Sequence, residues 1–147
     1  MPEYQKHIDE LLLMAAQNSA SDLHLSPGHY PMIRVDGRLV PITTEKILDA
    51  QYLSELLPSV MSDEKKITFN TEKDVDFSYE VDGKVRFRVN IYQTRSGLSG
   101  TFRLIPETIK SVEELNLPQS LKVFPRLSQG FVLVVGPNGH GKSTTLA

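Results

Sequence analysis

The stretch VDFSYEVDGKVRFRVNIYQTRSGLSGTFRLIP, starting at Val75, alternates apolar and polar residues on both sides of an Asp82-Gly83 pair. Successive strand side chains point to opposite faces, so Val75, Phe77, Tyr79 and Val81 share one face, as do Val85, Phe87, Val89 and Ile91. Asp-Gly supplies the two positive-φ residues that a tight hairpin turn demands. The stretch therefore predicts a β-hairpin with one buried face. A third strand past Gly97 to Gly100 turns Phe102 and Leu104 inward and Arg103 outward. The outer face then carries Arg86, Arg88, Asn90 and Arg103, with Arg95 in the connection. Two readings fit such a face: a solvated surface whose arginines pair with Asp74, Asp76 and Glu80, or a cluster whose forked donors recognise a phosphorylated anion.

Upstream, Ile8, Leu11, Leu12, Ala15 and Ala16 recur at helical spacing and predict an amphipathic helix over 3–18. Short strands follow over 22–26 and 32–35, and Asp36-Gly37 turns the chain into a hairpin partner over 38–42. Leu53, Leu56, Leu57, Val60 and Met61 mark a second helix that Pro58 should kink or shorten. Ser62 is placed to cap another short helix opening with DEKK. Asp22 and His24 alternate with Leu23 and Leu25, a pattern that fits one face of a sheet better than a metal site. His7 and His29 have no partner recognisable from spacing.

Near its C-terminal end the chain reads FVLVVGPNGHGKSTTLA. Gly136, Gly141, Lys142 and Ser143 match the P-loop pattern G-x-x-x-x-G-K-[ST], the Walker A motif, with Gly139 as a further small residue in the loop. Loop amides that all point at phosphate oxygens call for glycine conformations. Lys142 would reach the β- and γ-phosphates, and the Ser143 hydroxyl would ligate Mg²⁺. The apolar run Phe131 to Val135 predicts a buried parallel strand, and a helix can start at Lys142. His140 sits at a permissive position and reads as an exposed loop residue. Between the two regions, PETIKS reads as a linker, and S-V-E-E at Ser111 is a capping box with Glu114.

A chain of 147 residues with net charge −2 holds one domain with a sizeable core, or one domain and part of another. That balance gives no electrostatic footprint for nucleic acid or an anionic membrane. The absence of cysteine excludes disulfides and thiolate chemistry. No apolar run is long enough to span a bilayer, and no signal peptide is recognisable at the start. The expectation is a soluble cytoplasmic protein.

SASDLHLSPGHYPMIRVDGRL, DVDFSYEVDGKVRFRVNIYQTRSG, FRLIP and the P-loop segment, in unbroken order over nearly the whole chain, resemble the type IV pilus retraction ATPases of the type II/type IV secretion ATPase superfamily. The resemblance implies an α+β fold: a PAS-like N-terminal domain (1–105), a linker (106–111), and the truncated start of a RecA-like ATPase core (112–147). It further implies a homo-hexameric ring, ATP and Mg²⁺ as cofactors, and an inner-membrane pilus platform protein as partner. The motor would work at the inner face of the cytoplasmic membrane, with no nucleic acid bound and no direct membrane insertion. Carried onto this sequence, Gly139, Gly141, Lys142, Ser143 and Thr144 would bind phosphate, with Arg88, Arg95 and Arg103 contacting it from the N-terminal domain. Arg86 has the weaker case. Asn138 and His140 depart from the Thr and Ser more usual in that loop. The family's acidic box, catalytic glutamate, Walker B segment and histidine box have no counterpart here, so no catalytic residue is assigned and the chain alone is expected not to hydrolyse ATP. It reads as a piece of a longer motor, with a loosely packed C-terminal segment. Alternatives are a pilus-extension or secretion ATPase, or a non-hydrolysing ring-interface module whose arginines pair between subunits. Because the first helix leads directly into SDLHL, retraction is the favoured direction.

Overall fold

A computed structural model of the chain describes residues 3–106, 111–137 and 140–146. The chain divides into two units, Met1–Pro106 and Glu107–Ala147.

In the first unit, helix α1 (Glu3–Gln17) is followed by strands β1 (Asp22–Leu25), β2 (Met32–Val35) and β3 (Arg38–Pro41). Helix α2 (Ala50–Leu56), a 3-10 turn (Leu57–Val60) and helix α3 (Asp63–Glu72) precede strands β4 (Asp74–Val81), β5 (Val85–Thr94) and β6 (Gly97–Ile105). The strands form one antiparallel sheet in the order β3-β2-β1-β6-β5-β4.

Local chemistry accounts for most of these boundaries. Both Asp-Gly pairs adopt positive φ at each residue, 48° and 79° at Asp36-Gly37 and 53° and 65° at Asp82-Gly83, which matches the twist of the strands they join. The Asp49 side chain accepts the Tyr52 amide at 2.7 Å and caps α2. Pro58 converts the continuation of α2 to 3-10 geometry, as expected of a residue without an amide donor. Ser62 caps α3 by accepting the Lys65 amide.

The sheet has one apolar face. Ile8, Leu11, Leu12 and Ala15 of α1, and Leu53, Leu56 and Leu57 around α2, pack with Leu23, Leu25, Phe87, Val89, Ile91 and Phe102. The pattern of alternation predicted this face correctly. It did not predict that β6 starts at Gly97 rather than beyond Gly100. A Cβ on Gly100 would come 2.8 Å from Leu57 Cδ2, and Gly97 at φ 133° lies 3.0 Å by the same measure from Ala50 Cβ. These glycines are strand residues on which α2 and the 3-10 turn are seated, not a break.

In the second unit, Ser111 and Glu114 form the reciprocal capping box, with Ser111 N donating to Glu114 Oε2 at 2.7 Å and Glu114 N to Ser111 Oγ at 3.2 Å. A 3-10 segment (Gln119–Arg126) and helix α4 (Lys142–Leu146) follow. The strand expected over Phe131 to Val135 is not formed: these residues are without regular structure, and Phe131 is 86% exposed. A run apolar on both faces needs neighbouring strands and covering helices, and none of the described strands pairs with it. No described residue beyond Pro106 is buried. The linker expected over 106–111 lies mostly outside the described residues. Among those described, no helix is long and apolar enough to cross a membrane.

Candidate functional site: an arginine face and a glycine loop

The sheet's outer face is polar, and its arginines are ordered by register. Arg88 of β5 stands directly opposite Arg103 of β6, and Arg103 is opposite Asp22 of β1, which in turn faces Arg34 of β2. Arg86 lies opposite Glu80. Like charges directly across a strand pair are unfavourable. Here each arginine has a carboxylate on its other side: Arg88 Nε to Asp76 at 3.5 Å, Arg86 Nε to Glu80 at 3.5 Å, and Arg103 Nε to Asp22 Oδ1 at 2.9 Å. The ion-paired face anticipated from sequence is therefore present, with Asp22 added as the partner that spacing did not suggest.

Asp22 is the buried centre of this arrangement, its side chain 6% exposed. Its Oδ2 accepts the Ser21 hydroxyl at 2.7 Å and lies 3.5 Å from Arg34 Nε. Burial pushes the carboxyl up, but the hydrogen bonds from Ser21 and Arg103, with the guanidinium charge, together hold it below its ordinary value. His24, next on the same face, is pushed down by burial and by Arg34 and Arg103, against the pull of Asp22. Its Nε2 is buried with no hydrogen bond among the described residues, while Nδ1 lies 3.5 Å from the Thr101 hydroxyl.

Arg95 is separate from the others. It occupies the two-residue turn joining β5 to β6, exposed and without a hydrogen bond or ion pair among the described residues. Strand rise puts it about 20 Å along β5 from Arg88. The predicted trio thus resolves into a pair, Arg88 and Arg103, and a distant third.

The glycine loop belongs to the second unit. Gly141 has φ 77°, a left-handed conformation that favours glycine there. Gly136 does not share that requirement: a Cβ would meet His140 Cβ and Lys142 Cγ at an ordinary 4.0 Å. Gly139 lies outside the described residues. Lys142 folds back so that Nζ donates to the Pro137 carbonyl at 2.7 Å, turning the ammonium toward the loop. Ser143 and Thr144 are exposed, and α4 begins with Thr145 bonding back to Gly141. An ammonium, backbone amides and a hydroxyl without a hydrogen bond among the described residues are the groups a nucleotide phosphate with a hard divalent cation would take. No group of three or more potential metal-ligating side chains occurs among the described residues.

Residues 3–147 match the family described as type II/IV secretion system protein. The chain belongs to that family. This secretion-family chain is 43% identical over 140 residues to the type IV pilus retraction ATPase PilT of Pseudomonas aeruginosa, covering 95% of this chain and 40% of that protein. It is 41% identical over 117 residues to a twitching motility protein of Neisseria gonorrhoeae, covering 80% of this chain and 31% of the relative. Among solved structures, the pilus retraction motor PilT with bound ADP matches with a TM-score of 0.82 and 34% identity, covering 95% of this chain and 40% of that one. The secretion-family chain thus spans about two fifths of the length of these PilT relatives.

His7 holds an interaction that spacing did not reveal. Its Nδ1 lies 2.5 Å from the Tyr52 hydroxyl and its Nε2 3.2 Å from Glu45 Oε2, joining α1 to α2 and to the loop before it. These side chains line a cleft of about 430 Å³ with Thr44, Lys46 and Ile47. The contacts join residues 38 and 45 positions apart, so no local pattern could expose them.

Proposed function

We propose that the chain is the phosphate-sensing part of an ATPase whose hydrolysis of ATP drives type IV pilus retraction. The observation that carries this reading is the P-loop signature ending in Lys142 and Ser143 within a chain 43% identical to a retraction ATPase. Lys142 would exchange its bond to the Pro137 carbonyl for β- and γ-phosphate oxygens, and Ser143 would supply an oxygen to Mg²⁺. The first unit, proposed to be PAS-like, would present Arg88 and Arg103 to the phosphates. The placement of Arg88 directly opposite Arg103 on adjacent strands, which sets two guanidiniums side by side, supports that role. Arg95 would act at a separate contact.

The proposal extends to a cytoplasmic homo-hexameric ring, acting at the inner membrane on a pilus platform protein. Phosphoryl transfer also needs a group that positions the attacking water. None of the residues argued above fills that role, so turnover is proposed for the full-length protein and binding alone for this chain. The family also covers secretion machines, and direction is tested genetically. Loss of a retraction motor leaves surface pili that cannot shorten. Loss of an extension motor leaves none. A Lys142→Ala strain without pili would refute the retraction reading.

A further inference from the structure

The geometry points to Asp22 as a positioning residue that holds Arg103 with its terminal nitrogens free to take phosphate; this rests on the proposed phosphate contact of Arg103. What distinguishes Arg103 is which guanidinium nitrogen is engaged. Arg103 donates to Asp22 through Nε at 2.9 Å, and no hydrogen bond from its terminal nitrogens is present among the described residues. Its side chain is 69% exposed even though its partner is 6% exposed. Nε is thus anchored at the sheet surface, and the two-pronged end, the part that binds phosphate bidentately, is left facing outward.

The anchor is itself fixed. Asp22 cannot swing away with Arg103, because its second oxygen accepts from Ser21 and lies against Arg34. Arg34 is in turn held by donating to the Gly37 carbonyl at 3.1 Å. A run of contacts from the β2–β3 turn to β6 therefore restricts Arg103 before any ligand arrives. Arg86 and Arg88 show a looser version, with Nε 3.5 Å from carboxylates that are themselves about half exposed. Of Arg86, Arg88 and Arg103, only Arg103 has a buried partner that is itself doubly held.

Two effects of Asp22 oppose each other. Its charge repels an incoming phosphate. Its grip spares the guanidinium the rotamer entropy otherwise lost on binding. Arg34 and Arg103 both flank the carboxylate and neutralise the repulsion, so the positioning effect prevails.

The test measures ADP affinity by titration calorimetry on the full-length protein with Asp22→Asn, Arg103→Ala, Arg103→Lys and the double variant Asp22→Asn/Arg103→Ala. Asparagine keeps an acceptor for Nε and nearly the same volume, so folding is retained. Asp22→Asn is expected to weaken ADP about two- to tenfold, and to have no effect once Arg103 is alanine. Arg103→Lys is expected to bind more weakly than the unsubstituted protein, because its single nitrogen cannot stay on Asp22 and also present a two-pronged end to phosphate. Unchanged or tighter ADP binding in Asp22→Asn, alongside a weakened Arg103→Ala, would overturn the positioning role. So would an equal loss from Asp22→Asn in the alanine background, which would mark a general structural effect. If Arg103→Ala binds ADP normally, the proposed phosphate contact fails and the inference fails with it.

Discussion

A methyl group added to Gly100 should destabilise the sheet by an amount set by one contact. The new Cβ would lie 2.8 Å from Leu57 Cδ2 and 3.2 Å from Phe102 Cε2, both side chains being fully buried. The Leu57 contact falls short of ordinary carbon separation by about 0.7 Å. Overpacking of this kind costs about 1–3 kcal/mol. Leu57→Ala alone opens a cavity instead, at about 2–5 kcal/mol. In the double variant the added methyl enters space that Leu57 has left, so its loss should fall below the sum of the singles by at least about 0.5 kcal/mol. The chain has no tryptophan, so far-UV circular dichroism under denaturant is the suitable assay. For a unit this size, Gly100→Ala should lower Tm by about 4–20 °C. Stability within about 0.5 kcal/mol of the unsubstituted chain, or strict additivity of the two changes, would refute the claim that Gly100 exists to seat the 3-10 turn.

Other expectations follow from the same geometry. His24 is held below its ordinary value of 6.5, so the unfolded chain takes up the proton first. Its contribution is complete above pH 6.5 and lost as pH falls through the lower folded value; His24→Gln should flatten the denaturation midpoint against pH in that window, and an unchanged profile would contradict it. Asp49→Ala should cost about 0.5–2 kcal/mol through loss of the α2 cap, read from the same unfolding curves. Arg95→Ala should leave stability within about 0.5 kcal/mol. Its effect on ADP affinity should add to that of Arg103→Ala, since the two lie about 20 Å apart, whereas Arg88→Ala and Arg103→Ala should combine non-additively.

Sequence reading succeeded where structure is set by neighbours along the chain. The two Asp-Gly turns, the alternation through Val75 to Ile91, the Ser62 cap and the Ser111–Glu114 box each depend on residues a few positions apart. It fell short where distant segments meet. Pairing of β1 with β6 places Asp22 against Arg103, which are 81 positions apart, and no periodicity encodes that distance. Gly97 and Gly100 resemble a break until the side chains above them are known. Phe131 to Val135 has strand composition, yet composition supplies no partner strand. At the glycine loop Gly141 lies in the left-handed region that favours glycine, whereas Gly136 keeps room for a side chain in this loop geometry. Arg88, Arg95 and Arg103 read as one cluster from their types alone. Only register separates the pair from the turn residue.

The most direct test of the account is steady-state Mg-ATP hydrolysis by the full-length protein, followed across protein concentration beside this chain and a full-length Lys142→Ala variant. Turnover that rises with concentration in the full-length protein, and is absent from both controls, is the predicted result. Turnover that survives Lys142→Ala, or its absence from the full-length protein at every concentration, would contradict it.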